Sequence, residues 1–206
     1  MTTPQPSLRE RNRTRTLAEI HQAALELSAE GRFSDTTVDA IAERAGVSRR
    51  TFFNYYASKE DAVLGITPPQ ISEAAHARYM DRSTGDEFAR TVRLFMDVLR
   101  DATGPPELMA QRRALVDHHP ELKRRIGMHV TTAESLVVST VAEHSGRGPT
   151  PRSEETTHAF VLLAGSVIKF AFRTDTHLAA VSDDAAVQHA LDHVIGVFRT
   201  ALKEIS

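Results

Sequence analysis

Residues 36–63 read TTVDAIAERAGVSRRTFFNYYASKEDAV, and their caps, apolar positions and single glycine specify short helices joined by tight breaks. Thr36 and Thr37 precede Val38, Ile41, Ala42 and Ala45, an amphipathic run with helical spacing. A threonine there accepts a bond from an unpaired backbone N–H, and Asp35 and Asp39 suit the positive end of the helix dipole. Ala45-Gly46-Val47 is a tight turn in which glycine admits the backbone angle. Ser48 caps the next helix, 49–55, and Ser58 caps another with Glu60 and Asp61 in its first turn. Helix, Ala-Gly-Val turn and capped helix make the helix-turn-helix pattern, whose second helix enters the DNA major groove. Here that helix opens Ser-Arg-Arg-Thr, so its leading end is polar and cationic. Phe52 and Tyr56 are expected in the core.

Upstream, Leu17, Ile20, Ala23, Ala24 and Leu27 share one face of a helix expected over 16–29, which Gly31 stops, with Phe33 closing a small core. Arg9, Arg11, Arg13 and Arg15 precede it and read either as an arm for the minor groove or as a solvated tail. Downstream, Pro68-Pro69 breaks the pattern. Beyond it helices are expected near 70–80, 86–102, 106–117, 120–144, 153–173 and 184–204. The breaks fall at 83–85, 104–106, Pro120, 146–151 and 174–182. No segment alternates with period two, so the fold class is all-α. The division expected is 1–65, an N-terminal arm and three-helix helix-turn-helix domain, and 66–206, a larger helical domain.

The string 36–63, with the preceding AALELSAEGRF at 23–33, resembles the N-terminal domain of the TetR family of transcriptional regulators, a likeness running over about residues 12–65. The resemblance implies a DNA-binding protein with a defined contact set. Thr37 and Thr51 would touch phosphate, with Thr37 and Ser48 also serving as helix caps. Arg49 and Arg50 would face bases, where arginine forks onto guanine O6 and N7. Asn54 and Tyr55 would reach phosphate or base edges, and Lys59 would clamp a phosphate. Position 53 departs from the pattern: the family's usual tyrosine is Phe53 here, so that hydroxyl contact is absent. The resemblance further implies a homodimer on a pseudo-palindromic operator and a pocket for a small apolar effector that releases the DNA. The expected role is a repressor.

Past residue 66 the residues alone say less. Phe95, Met96, Leu99, Met109, Leu115, Phe160 and Phe170 are candidate pocket residues, and equally plain core. Arg112, Arg113 and His118 are candidates for an anionic head group, or solvated. The two last helices are apolar on more than one face, which suits a domain core on one side and a second subunit on the other, making 153–204 the expected dimer interface. Nine of ten histidines lie beyond residue 70, and His189 and His193 stand i, i+4. That spacing suits a metal, but no cysteine or acidic cluster completes a site. Neither metal nor cofactor is expected.

The formal charge of −2 divides into +1 over residues 1–60 and −3 over the rest. This permits a local basic face without demanding one. The chain has no cysteine, so disulfides and thiol chemistry are excluded. The longest apolar stretch, 159–168, is half the length that spans a bilayer and ends at Lys169, so a cytoplasmic protein without membrane contact is expected. G-x-S-x-G, phosphate-loop and H-E-x-x-H motifs are absent, and the protein is not expected to be an enzyme. A histidine-dependent enzyme and a helical protein-interaction module are the alternative readings.

Overall fold

The structure, a computed structural model, describes residues 7–30, 33–145, 152–174 and 183–205. It is all-α: ten α-helices and no strand among the described residues. They are α1 (Leu8–Glu30), α2 (Val38–Arg44), α3 (Arg49–Tyr55), α4 (Lys59–Leu64) and α5 (Glu73–Met80), then α6 (Glu87–Thr103), α7 (Leu108–His118), α8 (Glu121–Ser145), α9 (Glu154–Thr174) and α10 (Asp184–Ile205). Gly31 and the breaks expected at 146–151 and 174–182, apart from Thr174 at the end of α9, lie outside the described residues. No described helix is long and apolar enough to cross a membrane.

The first helix differs from its expectation, beginning at Leu8 and not at 16. Ser7 and Glu10 form a reciprocal capping box: the Ser7 N–H donates to Glu10 Oε2 at 2.6 Å, and the Glu10 N–H to Ser7 Oγ at 3.2 Å. Residues 8–15 are exposed, so apolar periodicity does not register them. Their helix rests on this cap and on pairs such as Arg15–Glu19, i, i+4 at 3.5 Å.

Contacts group residues 1–68 with 114–125, and 69–113 with 126–206. In the first unit α1 packs on α2 and α4, and α2 on α3. Ile20, Ala24, Ile41, Phe52, Ala62 and Leu64 are wholly buried there. The segment 114–125, which the sequence reading left in the larger domain, brings Leu122 with no exposure and sets the His119 ring 5.2 Å from Phe33. Arg125 grips Asp61, itself fully buried, through Nε to Oδ1 at 2.6 Å and Nη2 to Oδ2.

In the second unit α6 is central, packing on α5, α9 and α10. Asp86 caps it, and Val92, Phe95, Met96 and Ala102 recur on its buried side. Helix α9 buries Thr157, Val161, Ala164, Ile168 and Ala171 at i, i+4, i+7, i+11 and i+14. Gly165 lets α6 come close: a Cβ there would stand 3.1 Å from Phe95 Cε1. Leu162, Leu163 and Phe170 on α9, with Val197 and Leu202 on α10, remain exposed at 39–49%.

Candidate functional site

The helix-turn-helix is built from its caps. The Ala40 N–H donates to Thr37 Oγ1 at 3.2 Å, so Thr37 caps α2 from an extended conformation. At the turn, Gly46 takes φ +66°, which lets the Val47 N–H reach the Ala42 carbonyl at 2.9 Å. Ser48 caps α3 by accepting from the Thr51 N–H at 3.0 Å, and the two hydroxyls share a bond of 2.8 Å. Ser48 and Thr51 therefore begin the helix as one hydroxyl pair.

Helix α3 shows different chemistry on each face. Phe52 and Tyr56 are buried, as expected, with the Tyr56 hydroxyl donating to the Leu17 carbonyl at 3.2 Å. Arg49, Arg50, Phe53 and Asn54 are exposed. Arg50 makes no ion pair among the described residues. Arg49 donates through Nη1 to both Asp39 oxygens, at 2.6 and 2.7 Å, and its guanidinium lies 5.5 Å over the Phe53 ring. Position 53, which lacks the tyrosine hydroxyl, thus supplies a flat platform for the neighbouring arginine. On the third flank Thr51, Asn54 and Tyr55 wall a groove whose opposite side is Leu8, Arg9, Asn12 and Arg13. The Arg13 guanidinium lies 5.4 Å over the Tyr55 ring.

Lys59, expected to clamp a phosphate, is engaged within the fold. Its ammonium donates to the carbonyls of Phe33, Ser34 and Thr36 at 3.0, 3.1 and 2.8 Å, and lies 4.9 Å over the Phe33 ring. An ammonium has three protons to give, and all of them point inward. Arg44 is likewise spent on α1, forking onto Glu30 at 3.0 Å and reaching Glu26 at 3.4 Å.

The second unit holds a cavity of about 1,100 Å³. Of the expected pocket residues, Phe95, Met96, Leu99 and Met109 line it, joined by Val130, Leu162, Gly165, Ile168, Phe172 and Val187. Leu115, Arg112, His118, Phe160 and Phe170 do not. Arg112 is buried and bonded to the Thr103 carbonyl and to Met109 Sδ at 3.3 Å, so it ties α6 to α7. His118 is exposed, groups with the first unit, and donates through Nδ1 to the Ala114 carbonyl at 2.7 Å. Phe160 packs edge-on against Phe88 at 5.3 Å with Arg152 over its face at 4.1 Å. Phe170 stacks edge-on against Phe198 at 5.7 Å, on the outer side of α9.

The cavity's charged lining is largely self-paired: Arg78 with Asp97 at 2.9 Å, Arg100 with Asp184 at 2.7 Å, and Glu134 with His158 at 3.3 Å. Arg113, Lys169 and Asp101 line it without an ion-pair partner among the described residues. Burial pushes the Asp97 carboxyl above the usual range, against the pull of Arg78. His189 and His193 are exposed, and among the described residues no cluster of three metal-ligating side chains forms.

The sequence reading missed Asp39 as the partner of Arg49, and Arg9, Asn12 and Arg13 as neighbours of α3. Ser-x-x-Glu at 7–10 was the available signal for the second group. It also missed Phe172 and Lys169, which stand with Gly165 at helical spacing around the cavity.

Residues 20–64 match the family model for bacterial regulatory proteins of the tetR family. The HTH-type transcriptional regulator TcmR of Streptomyces glaucescens is 42% identical over 82 residues, covering 39% of this chain and 35% of that protein. The putative mycofactocin biosynthesis transcriptional regulator MftR of Mycobacterium tuberculosis is 51% identical over 49 residues, 24% of this chain and 25% of that protein. The chain therefore spans about a third and a quarter of the lengths of these two relatives. Among solved structures, the Thermus thermophilus FadR repressor in complex with lauroyl-CoA aligns over 88% of this chain and 92% of its own. Its TM-score is 0.41 with 19% identity, a likeness that fixes no detail here. On the match at 20–64 and the likeness to these two regulators, that segment of the chain is a domain of the tetR family of bacterial regulatory proteins.

Proposed function

We propose that the protein is a ligand-responsive transcriptional repressor that binds a pseudo-palindromic operator as a homodimer and leaves it when a small apolar molecule fills the cavity. The observation that carries the reading is α3, a capped helix after a tight turn that exposes Arg49, Arg50 and Asn54 together. Two such helices in successive major grooves, about 34–36 Å apart, would read two half-sites. The exposed apolar side chains of α9 and α10 support residues 153–204 as the dimer interface, because a surface of that kind is stabilised by cover. The apolar walls of the cavity support an apolar effector.

Helices α7 and α8 supply a route for coupling along the chain. Met109 and Arg113 on α7, and Val130 and Glu134 on α8, line the cavity, while residues 114–125 between them group with the helix-turn-helix. A ligand that prefers one setting of these helices shifts the population toward it, and ligand and operator then weaken each other reciprocally.

The test is selection of duplexes from a randomised pool by the full chain, followed by sizing of the complex. Enrichment of a sequence with dyad symmetry, bound by two chains, is expected. No enrichment would remove the regulator reading, and an enriched site without a dyad would remove the dimer.

A further inference from the structure

We infer that the first turns of α1 and the flank of α3 form a cleft for the DNA sugar–phosphate backbone, in which Arg9 and Arg13 are phosphate contacts. This rests on the operator binding proposed above. Because the Ser7–Glu10 box starts the helix at Leu8, Arg9, Asn12 and Arg13 fall at i, i+3 and i+4 on one face. Across the groove Thr51, Asn54 and Tyr55 repeat the same spacing. The walls hold guanidinium, amide, hydroxyl and phenol groups, all able to donate, and no carboxylate.

The cations here are available, unlike their neighbours. Arg44 is spent on Glu30 and Glu26, Lys59 on three carbonyls, and Arg15 on Glu19. Arg9 has no partner among the described residues. Among the described residues Arg13 is held by its ring contact with Tyr55 alone, which leaves its N–H groups to donate in the plane of the guanidinium. The groove is also continuous with α3, whose leading end carries Arg50. A strand of phosphates, regular in spacing and negative throughout, complements this charge.

The same geometry argues against a minor-groove arm. A helix with side chains is roughly 10–12 Å across, and the minor groove is only about 6 Å wide. Arginines fixed on a capped helix meet the backbone at the groove's edge.

The experiment measures the affinity of the full chain against salt on two probes: the duplex enriched from the randomised pool and an unrelated duplex. With one contact from each chain of the dimer, Arg9→Ala and Arg13→Ala should each flatten the log–log salt slope by about 1.8, and the double variant by about 3.6, alike on both probes. Arg13→Lys, which keeps the charge but loses the planar stack, should hold the slope. Unchanged helicity and melting of the variants separate contact from folding. A double variant with the wild-type slope overturns the inference while leaving operator binding intact. A loss confined to the enriched duplex overturns it in favour of base reading. If the wild-type chain enriches nothing, the operator reading itself fails and this inference with it.

Discussion

Arg49 and Asp39 are joined through a single nitrogen, Nη1, which lies 2.6 and 2.7 Å from the two carboxylate oxygens while both side chains stay more than half exposed. The pair links the start of α3 to the first turn of α2, so the arginine proposed to read a base is held by an acid on the neighbouring helix. An exposed pair of this kind is worth little, roughly 0–1 kcal/mol, and the grip is easily exchanged for a guanine. The carboxylate itself repels approaching phosphate. Asp39→Asn should therefore tighten binding to any duplex by about two- to fivefold at low salt, corresponding to that energy. Arg49→Ala should cost about 1–3 kcal/mol on the enriched duplex and relax base preference at one position. Anisotropy titrations on matched and mismatched duplexes measure both. An Asp39→Asn variant indistinguishable from wild type would show that Asp39 does not restrain Arg49.

A second acid–arginine pair has the opposite energetics. Asp61 is wholly buried and receives Arg125 through two nitrogens. Removing one partner of such a pair strands a charge away from water. Arg125→Ala should destabilise the first unit by about 3–5 kcal/mol, read from urea unfolding. Asp61→Leu with Arg125→Met, which removes both charges and keeps volume, should recover most of that loss. If Arg125→Ala costs no more than an ordinary surface substitution, the pair is not holding residues 114–125 to the helix-turn-helix.

These two pairs mark what the sequence made legible. The helix-turn-helix was readable because each device is local: Thr37, Ser48 and Ser58 are caps within three residues of the N–H groups that donate to them, and Gly46 supplies the turn. The later helices were readable because α6, α9 and α10 carry apolar residues at helical spacing. Asp61–Arg125 spans 64 residues and Arg49–Asp39 spans ten, and nothing in a local pattern says which acid an arginine will find. The cavity shows the same divide. Phe95, Met96, Leu99 and Met109 lie on its walls, but Phe160 and Phe170 have the same apolar character and point elsewhere on α9. The resemblance implies a phosphate clamp at Lys59, and only the fold shows that the carbonyls of Phe33, Ser34 and Thr36 converge on it.

Asp97 gives the second unit a pH dependence. Burial raises its carboxyl pKa, and Arg78, which is 57% exposed and screened by water, offsets this only in part. A raised pKa in the folded state means that the native protein holds the proton more tightly than the unfolded chain does. The stability this provides is present below the ordinary aspartate pKa, about 4, and is lost as pH rises through the raised value. Asp97→Asn removes the titration. The variant should match wild type in acid and exceed it in melting temperature at neutral pH, with a flatter profile between. A variant less stable than wild type at neutral pH would show that the ion pair with Arg78 outweighs burial.

Gly165 and Phe95 offer a test of whether the cavity wall yields. A methyl group at 165 would stand 3.1 Å from Phe95 Cε1, closer than comfortable packing, so the ring must move. Phe95 is buried against core on one side and lines the cavity on the other, which gives the ring space to enter. Replacing glycine by alanine within a helix stabilises by about 1 kcal/mol. If the ring moves into the cavity, Gly165→Ala should leave unfolding stability within about 1 kcal/mol of wild type, and binding of the apolar dye 1-anilinonaphthalene-8-sulfonate should weaken. If the ring is held in place, overpacking should instead cost about 1–3 kcal/mol, and dye affinity should stay as it was. Each case changes one quantity and leaves the other as it was, so a melting curve and a dye titration on the same variant separate a yielding wall from a rigid one.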